Sequence, residues 1–412
     1  MLETHFHSPV TSQRLRSGAA ADHIDAFADW LHLQGYKPNS IDNGLTSLAA
    51  WTDWMLTAGF AAQDLLPGFE ACKAAIEKEQ RVPYSRGPNQ QSVTAASVFI
   101  RFLRLKGELP LPVVPPSATE RWPILGEFRS WTRAHRGLTE TTLAVYEGIL
   151  AGLLDALGDD GGDYSAETLR AFVLARARPH GIERAKSIAV AVRSFARFLG
   201  VTGRCPAGME YSIPGFASWQ LSSVPRFLAA EDVERVIASC SGHAFELRDR
   251  AVLLLLARLA LRASEVAQLK FTDIDWRNGE IGLCGKGRRQ ESLPLPQDVG
   301  DAILLYVKDG RPLLQIPEVF TTVLAPLHAL TRASVTHIVR AALLRAGVKA
   351  PINGAHVLRH SSATTMLRQG ASLAGVGAVL RHRSPTTTAH YAKVDFGLLS
   401  EIAQPWPEVS SC

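Results

Sequence analysis

The sequence predicts a mainly α-helical protein with one small β-hairpin: two helical blocks followed by a larger C-terminal α/β block. Three features lead to that class. Apolar residues recur at helical spacing through most of the chain, as in Ile24, Phe27, Trp30, Leu31 and again in Leu48, Trp51, Trp54, Met55. Two stretches rich in proline and glycine interrupt the pattern, one around Leu109 to Pro116 and one from Cys205 to Pro225. A hairpin pattern, Glu280 to Cys284 and Glu291 to Leu295, flanks the turn Gly285-Lys286-Gly287-Arg288-Arg289.

The first block, roughly 18–110, reads as amphipathic helices, the last from about Gln91 to Lys106. The second, about 119–205, repeats its plan. Phe128 and Trp131 echo Phe27 and Trp30, and the run Ser187 to Leu199 echoes Ser92 to Leu103. This reads as a tandem duplication of a small four-helix unit. The third block opens at Ala229-Ala230-Glu231-Asp232-Val233. Helices are predicted there over about 230–240, 245–258 and 263–269, then the hairpin, then helices over about 332–346, 356–369, 372–380 and 385–391. The expected domains are 1–112, 113–225 and 226–412. A last amphipathic helix is expected from Phe396 to Ala403, stopped by Pro405-Trp406-Pro407.

Composition removes several function classes. With 412 residues, 46% hydrophobic and 20% charged, the chain has material for two to three folded domains and is not globally disordered. The longest apolar run, Ala251 to Ala257, ends at Arg258, far short of the ~20 residues of a membrane span. Met1 to Arg16 lacks the apolar core of a secretory signal. The five cysteines are scattered with no Cys-x-x-Cys pair, which argues against a disulfide framework or zinc ribbon and fits a reducing cytoplasm. The net charge of +5 resides in one half: residues 226–412 hold 22 basic and 17 acidic residues, whereas residues 1–225 hold 22 of each. Such an excess suits a polyanionic partner.

Four short segments of the third block could carry chemistry. Arg262 precedes Ala263-Ser264-Glu265-Val266 at a helix start, behind an unusually apolar helix; its guanidinium could meet a phosphate or pair with Glu265. Lys286, with Arg288 and Arg289, makes a basic hairpin tip able to enter a DNA groove, and the spacing of a phosphate-binding loop is absent. In His356-Val357-Leu358-Arg359-His360, His356 and Arg359 share a helix face as a proton carrier and a phosphate clamp. Zinc on His356 and His360 is the rival, weakened by the missing Glu of His-Glu-x-x-His and of any third ligand. Leu380-Arg381-His382 is followed nine residues later by Tyr391.

Taken in order, these segments resemble the catalytic domain of the tyrosine recombinase (phage integrase) family, over about residues 227–395, with the second block similar to that family's helical core-binding domain. Two departures are visible: Ala260 stands where the family often has Gly before Leu-Arg, and Arg381 replaces the usual Gly of Leu-Gly-His. The resemblance implies a site-specific recombinase or integrase of a mobile element, acting through a 3′-phosphotyrosyl link. It implies Tyr391 as nucleophile, Arg262 and Arg359 on the non-bridging oxygens, and Lys286 as acid for the leaving 5′-oxygen. It further implies His356 as base or proton shuttle, His382 as a donor to the phosphate, and Arg288, Arg289 and Arg381 as DNA contacts. No metal and no other cofactor is expected, because the cations supply the countercharge and the phosphotyrosine stores the bond energy. The expected partners are double-stranded DNA with specific sites and further copies of the chain, as a tetramer on paired sites, or related recombinases. No membrane is expected, and the location implied is the nucleoid of a bacterial cytoplasm. A type IB topoisomerase-like enzyme and a catalytically silent DNA-binding factor are the alternatives.

Overall fold

The computed structural model describes residues 8–78, 89–113, 115–159, 164–217, 225–240, 242–284, 290–382, 384–394 and 399. It is mostly helical, with one three-stranded antiparallel sheet. Contacts divide the chain into two compact units, residues 112–222 and a second made of 1–111 with 223–412. Among the described residues, no helix is long and apolar enough to cross a membrane.

The first block contains α1 (Pro9–Ser17), α2 (Ile24–Leu33), α3 (Pro38–Thr57), α4 (Leu65–Lys78) and α5 (Gln90–Leu105). Proline at the first turn starts α1 and α3, where its missing N–H costs nothing, and the Asn89 side chain caps α5 by accepting from the N–H groups of Gln91 and Ser92. The second block contains α6 (Ala118–Arg121), α7 (Pro123–Arg136), α8 (Glu140–Leu157), α9 (Ala166–Ala177) and α10 (Ile182–Val201).

The echo between the blocks extends to ring geometry. In the first, Phe27 meets Phe99 edge-on at 5.0 Å and Trp30 tilts against Phe102 at 5.6 Å. In the second, Phe128 meets Phe195 edge-on at 5.4 Å and Trp131 tilts against Phe198 at 5.8 Å. Each set anchors a separate core of buried side chains. Edge-to-face and tilted pairs add about 0.5–1.5 kcal/mol beyond burial, so these rings fix how the second and last helices of each unit cross.

In the third block, α11 (Ala230–Ala238) and α12 (Ala244–Arg258) lead to the short α13 (Ala263–Gln268). The apolar run Ala251 to Ala257 lies in α12, buried on every side, which is why it carries no polar stripe. Strands β1 (Ile274–Asp275), β2 (Glu280–Cys284) and β3 (Gln290–Pro294) form the sheet; Ile281 pairs with both Ile274 and Leu293, turning an apolar face to the core. Cys284 pairs with Gln290. Lys286, Arg288 and Arg289 fall between those strands, outside the described residues.

Helices α14 (Gln297–Leu305), α15 (Arg332–Arg345), α16 (His356–Arg368), α17 (Leu373–Val379) and α18 (Pro385–Thr388) complete the block. Two differences from expectation have local causes. Helix α14, capped by Pro296, falls in a stretch that the hairpin signal and its prolines dominate. The single helix expected over 385–391 is one α-turn, with Thr386, Thr387 and Thr388 in a row, followed by a 3₁₀ segment over Ala389–Val394; β-branched residues in succession weaken α-helix. The tail helix expected from Phe396 to Ala403 lies outside the described residues, apart from Leu399.

Candidate active site

Arg262 enters the site on a backbone turn. After α12 the chain passes through Leu259, Ala260 and Leu261, all buried, and Arg262 becomes the N-cap of α13. Glu265, in the first turn, accepts from the Arg262 backbone N–H and from its Nη1, both at 2.7 Å. The carboxylate therefore both caps the helix and aims the guanidinium, and Arg262 keeps about a third of its side chain exposed.

Arg359, on α16, is 3% exposed. Its Nη1 donates to the carbonyl of Ala260 and its Nη2 to the carbonyl of Leu380. One guanidinium thus joins the turn that delivers Arg262 to the turn that delivers Arg381 and His382. Burial first, then the charges of Arg262 and Arg381, pulls its pKa down to about 10, which leaves it protonated at neutral pH.

The two glycine departures noted in the sequence lie at these same turns. Ala260 has φ 50° and Arg381 φ 53°, the two non-glycine residues recorded with left-handed backbone among the described residues. That conformation costs an L-residue roughly 1–2 kcal/mol. Arg381 does not face outward as a DNA contact would. Its side chain is 3% exposed, its Nη2 donates to Glu265 at 2.6 Å, and its Nε faces Glu291 on β3 at 3.5 Å, too poorly aligned to be a hydrogen bond. Oε1 of Glu265 therefore accepts from the Arg262 guanidinium, and Oε2 accepts from both the Arg262 backbone N–H and the Arg381 guanidinium.

Tyr391 is 3% exposed, packed with Ala260, Ala363, Leu367, Val376 and Leu380. Its phenol is bonded to Nδ1 of His360 at 2.7 Å. Burial pushes the phenol up to about 12 and Arg359 opposes that rise. Burial, then the neighbouring His356, His390, Arg359 and His382, brings His360 down to about 4, so its imidazole is neutral at physiological pH. His382, brought down to about 4 by burial and by Arg359, Arg262 and Arg381, has its Nδ1 2.9 Å from the Thr388 hydroxyl. His356 opens α16 and is exposed; partial desolvation and the charges of Arg359, Arg262 and Arg332 lower its pKa. Its ring stands edge-on to His360, centroids 5.1 Å apart.

The structure therefore brings together Arg262, His356, Arg359, His382 and Tyr391. It also supplies three partners that the sequence did not announce. His360 touches the phenol where His356 was expected to, Thr388 orients His382, and Glu291 backs Arg381. The only signal for His360 was its place beside Arg359 and four residues after His356, which suggested zinc. Among the described residues no group of three or more His, Cys, Asp or Glu is placed to hold a metal ion.

The site sets a buried tyrosine beside a neutral imidazole, with two arginines joined to one backbone frame, groups suited to holding a phosphate next to a hydroxyl. Comparison with known proteins places it further. Residues 226–397 match the model of the Phage integrase family. The chain is 35% identical over 400 residues to y4rA of Sinorhizobium fredii, named as an integrase/recombinase, covering 95% of both chains. Tyrosine recombinase XerD of Listeria monocytogenes is 28% identical over 282 residues, 66% of this chain and 94% of that protein. Among solved structures, XerH recombinase bound to a palindromic difH substrate matches with TM-score 0.55 and 20% identity, over 75% of this chain and 94% of that one. A lambda integrase dimer bound to a core site matches with TM-score 0.53 and 17% identity, over 69% and 97%. These structural likenesses show a shared fold. The chain belongs to the phage integrase family, the tyrosine recombinases.

Proposed function

We propose that this recombinase cuts and rejoins DNA at specific sites through a 3′-phosphotyrosyl intermediate, on behalf of a mobile element. The observation that carries the reading is the frame built by Arg359: one side chain locks the turns presenting Arg262 and His382 while its own charge lies near the Tyr391 phenol. A tyrosine is a weak nucleophile and a phosphodiester a reluctant electrophile. Preorganised cations answer both problems, because negative charge accumulates on the non-bridging oxygens in the transition state.

In this reading Tyr391 attacks phosphorus, Arg262 and Arg359 hold the non-bridging oxygens, and Lys286 protonates the departing 5′-oxygen. His382 donates from Nε2 while Thr388 satisfies Nδ1, and His356 serves as the proton carrier at the exposed rim. Arg288 and Arg289 contact the DNA backbone, whereas Arg381 supports Glu265 from inside. Residues 1–112 and 113–225 form two related helical DNA-binding domains ahead of a catalytic domain from 226. Four copies act on paired sites, in the nucleoid of a bacterial cytoplasm.

The test is covalent capture. The full chain is mixed with a pool of nicked random-sequence duplexes, and DNA that survives a denaturing wash is sequenced. Wild type should enrich a defined site and Tyr391→Phe should bind that site without forming the link. Capture by the Phe variant, or capture with no sequence preference, overturns the reading.

A further inference from the structure

We propose that His360, and not His356, is the group that takes the Tyr391 proton during cleavage and returns it during rejoining. The inference rests on the strand-transfer reading above and moves its proton-carrying task from His356 to a residue that reading leaves without one. Three observations carry it. Nδ1 of His360 and the phenol oxygen are 2.7 Å apart, within reach for direct proton transfer. The two side chains come from different elements, α16 and the 3₁₀ segment after α18, thirty-one positions apart, so helical periodicity does not force the contact. And the phenol is almost wholly removed from water, so solvent is poorly placed to accept its proton.

The charges around the pair keep His360 unprotonated, and so able to accept, before cleavage begins. A histidine already protonated could only donate to the phenol. His360 faces His356 and Arg359 on its own helix, His390 on the tyrosine's segment and His382 on the turn after α17, all of which oppose its charging. It therefore waits as a neutral acceptor. In the cleavage step the phenol proton moves to Nδ1 as the phenolate oxygen bonds to phosphorus, the bond from phosphorus to the 5′-oxygen breaks, and that oxygen takes a proton from Lys286. Rejoining reverses each transfer: Lys286 accepts the proton of the attacking 5′-hydroxyl and His360 returns one to the departing phenolate. His356, exposed and adjacent to Arg262, Arg332 and Arg359, is left facing the phosphate.

The experiment separates proton transfer from positioning. The substrate is the nicked duplex captured above. His360→Asn keeps an amide near the place of Nδ1 and cannot accept a proton; it should bind the duplex as wild type does and form the covalent link about 10²–10⁴ times more slowly. The second arm uses a strand ending in a 3′-p-nitrophenyl phosphate, whose leaving group needs no proton, joined to a 5′-hydroxyl strand by protein lacking the nucleophile. Tyr391→Phe should release nitrophenolate, and the double variant carrying His360→Asn should release it at the same rate. A matched slowing in both arms makes His360 a structural residue and overturns the proposal. Unchanged covalent linkage by His360→Asn overturns it equally. Should His360→Asn fail to bind DNA, His360→Gln is read in both arms in its place. Absence of nitrophenolate with Tyr391→Phe alone strikes the strand-transfer reading itself, and the proposal falls with it.

Discussion

Arg381→Gly sets two energies of this structure against each other. Glycine is the residue the left-handed backbone at φ 53° would prefer, so the substitution relieves roughly 1–2 kcal/mol of conformational cost. It also frees the unfolded chain, which takes back about 0.4–1 kcal/mol. Against that relief stands the loss of a guanidinium that is 3% exposed and bonded to a carboxylate 9% exposed. Removing one partner of a buried pair costs about 3–5 kcal/mol. The lower end applies, because Glu265 keeps Arg262 and Glu291 is exposed enough to turn toward water. The balance is a destabilisation of about 2 kcal/mol, built from roughly 3 lost, 1.5 relieved and 0.5 taken back. For the compact unit of 1–111 with 223–412 that holds Arg381, that corresponds to a melting temperature lower by about 3 °C. Cleavage should also slow, since Oε2 of Glu265 then keeps only the Arg262 backbone N–H, but less than when Arg262 itself is removed. Thermal melting of Arg381→Gly beside Arg381→Asn, which tolerates the same backbone without the charge, measures the two energies separately. A glycine variant about 1 kcal/mol more stable than wild type would mean that the ion pair contributes nothing, and the account of how Glu265 is held would fail.

Arg262→Ala and Arg359→Ala should each lower single-turnover cleavage by about 10²–10³ at saturating DNA, the usual loss for one preorganised oxyanion partner. Only Arg359→Ala should also melt earlier, because Arg359 alone ties two turns together; equal melting of the two variants would refute that division. The histidines predict a pH dependence of stability. His360 and His382 are held down at about 4 in the folded protein, against 6.5 for the free side chain, so between these values the unfolded chain binds protons that the folded one refuses. Their contribution is complete above pH 6.5 and lost as pH falls toward 4. Urea titrations should show stability declining through that window in wild type and declining less in His360→Asn; parallel curves would refute the burial argument.

Much of this molecule was legible in the sequence, and the line between legible and hidden follows the range of the interactions. The helices and the hairpin could be placed because apolar periodicity and turn residues are local. The aromatic echo between Phe27, Trp30, Phe99, Phe102 and their counterparts was visible as spacing, and the structure adds the ring contacts. Glu265 beside Arg262 was readable, being one helical turn away. His360 on Tyr391, Arg381 on Glu265 and Thr388 on His382 were not, although two of these pairs use residues already singled out. Nothing in a one-dimensional pattern says that a histidine in the second turn of α16 and a tyrosine thirty-one positions later will be hydrogen-bonded. The inward turn of Arg381 was hidden for the same reason: an arginine in a basic block reads as a phosphate contact until the carboxylates opposite it are known.

The two non-glycine turns also explain why Arg359 is built so deeply into the fold. A guanidinium has five N–H donors. Two are spent on the carbonyls of Ala260 and Leu380, and those carbonyls belong to, or directly precede, the left-handed residues. A backbone strained at two points relaxes unless something holds it, and the bonds from Arg359 hold both at once. Three donors remain. Lysine, with a single ammonium point, could not span the two carbonyls in this way. The same side chain thereby couples the stability of two turns to the placement of the site: the turns carrying Arg262 and His382 converge through Arg359, and its charge acts on the phenol that His360 contacts.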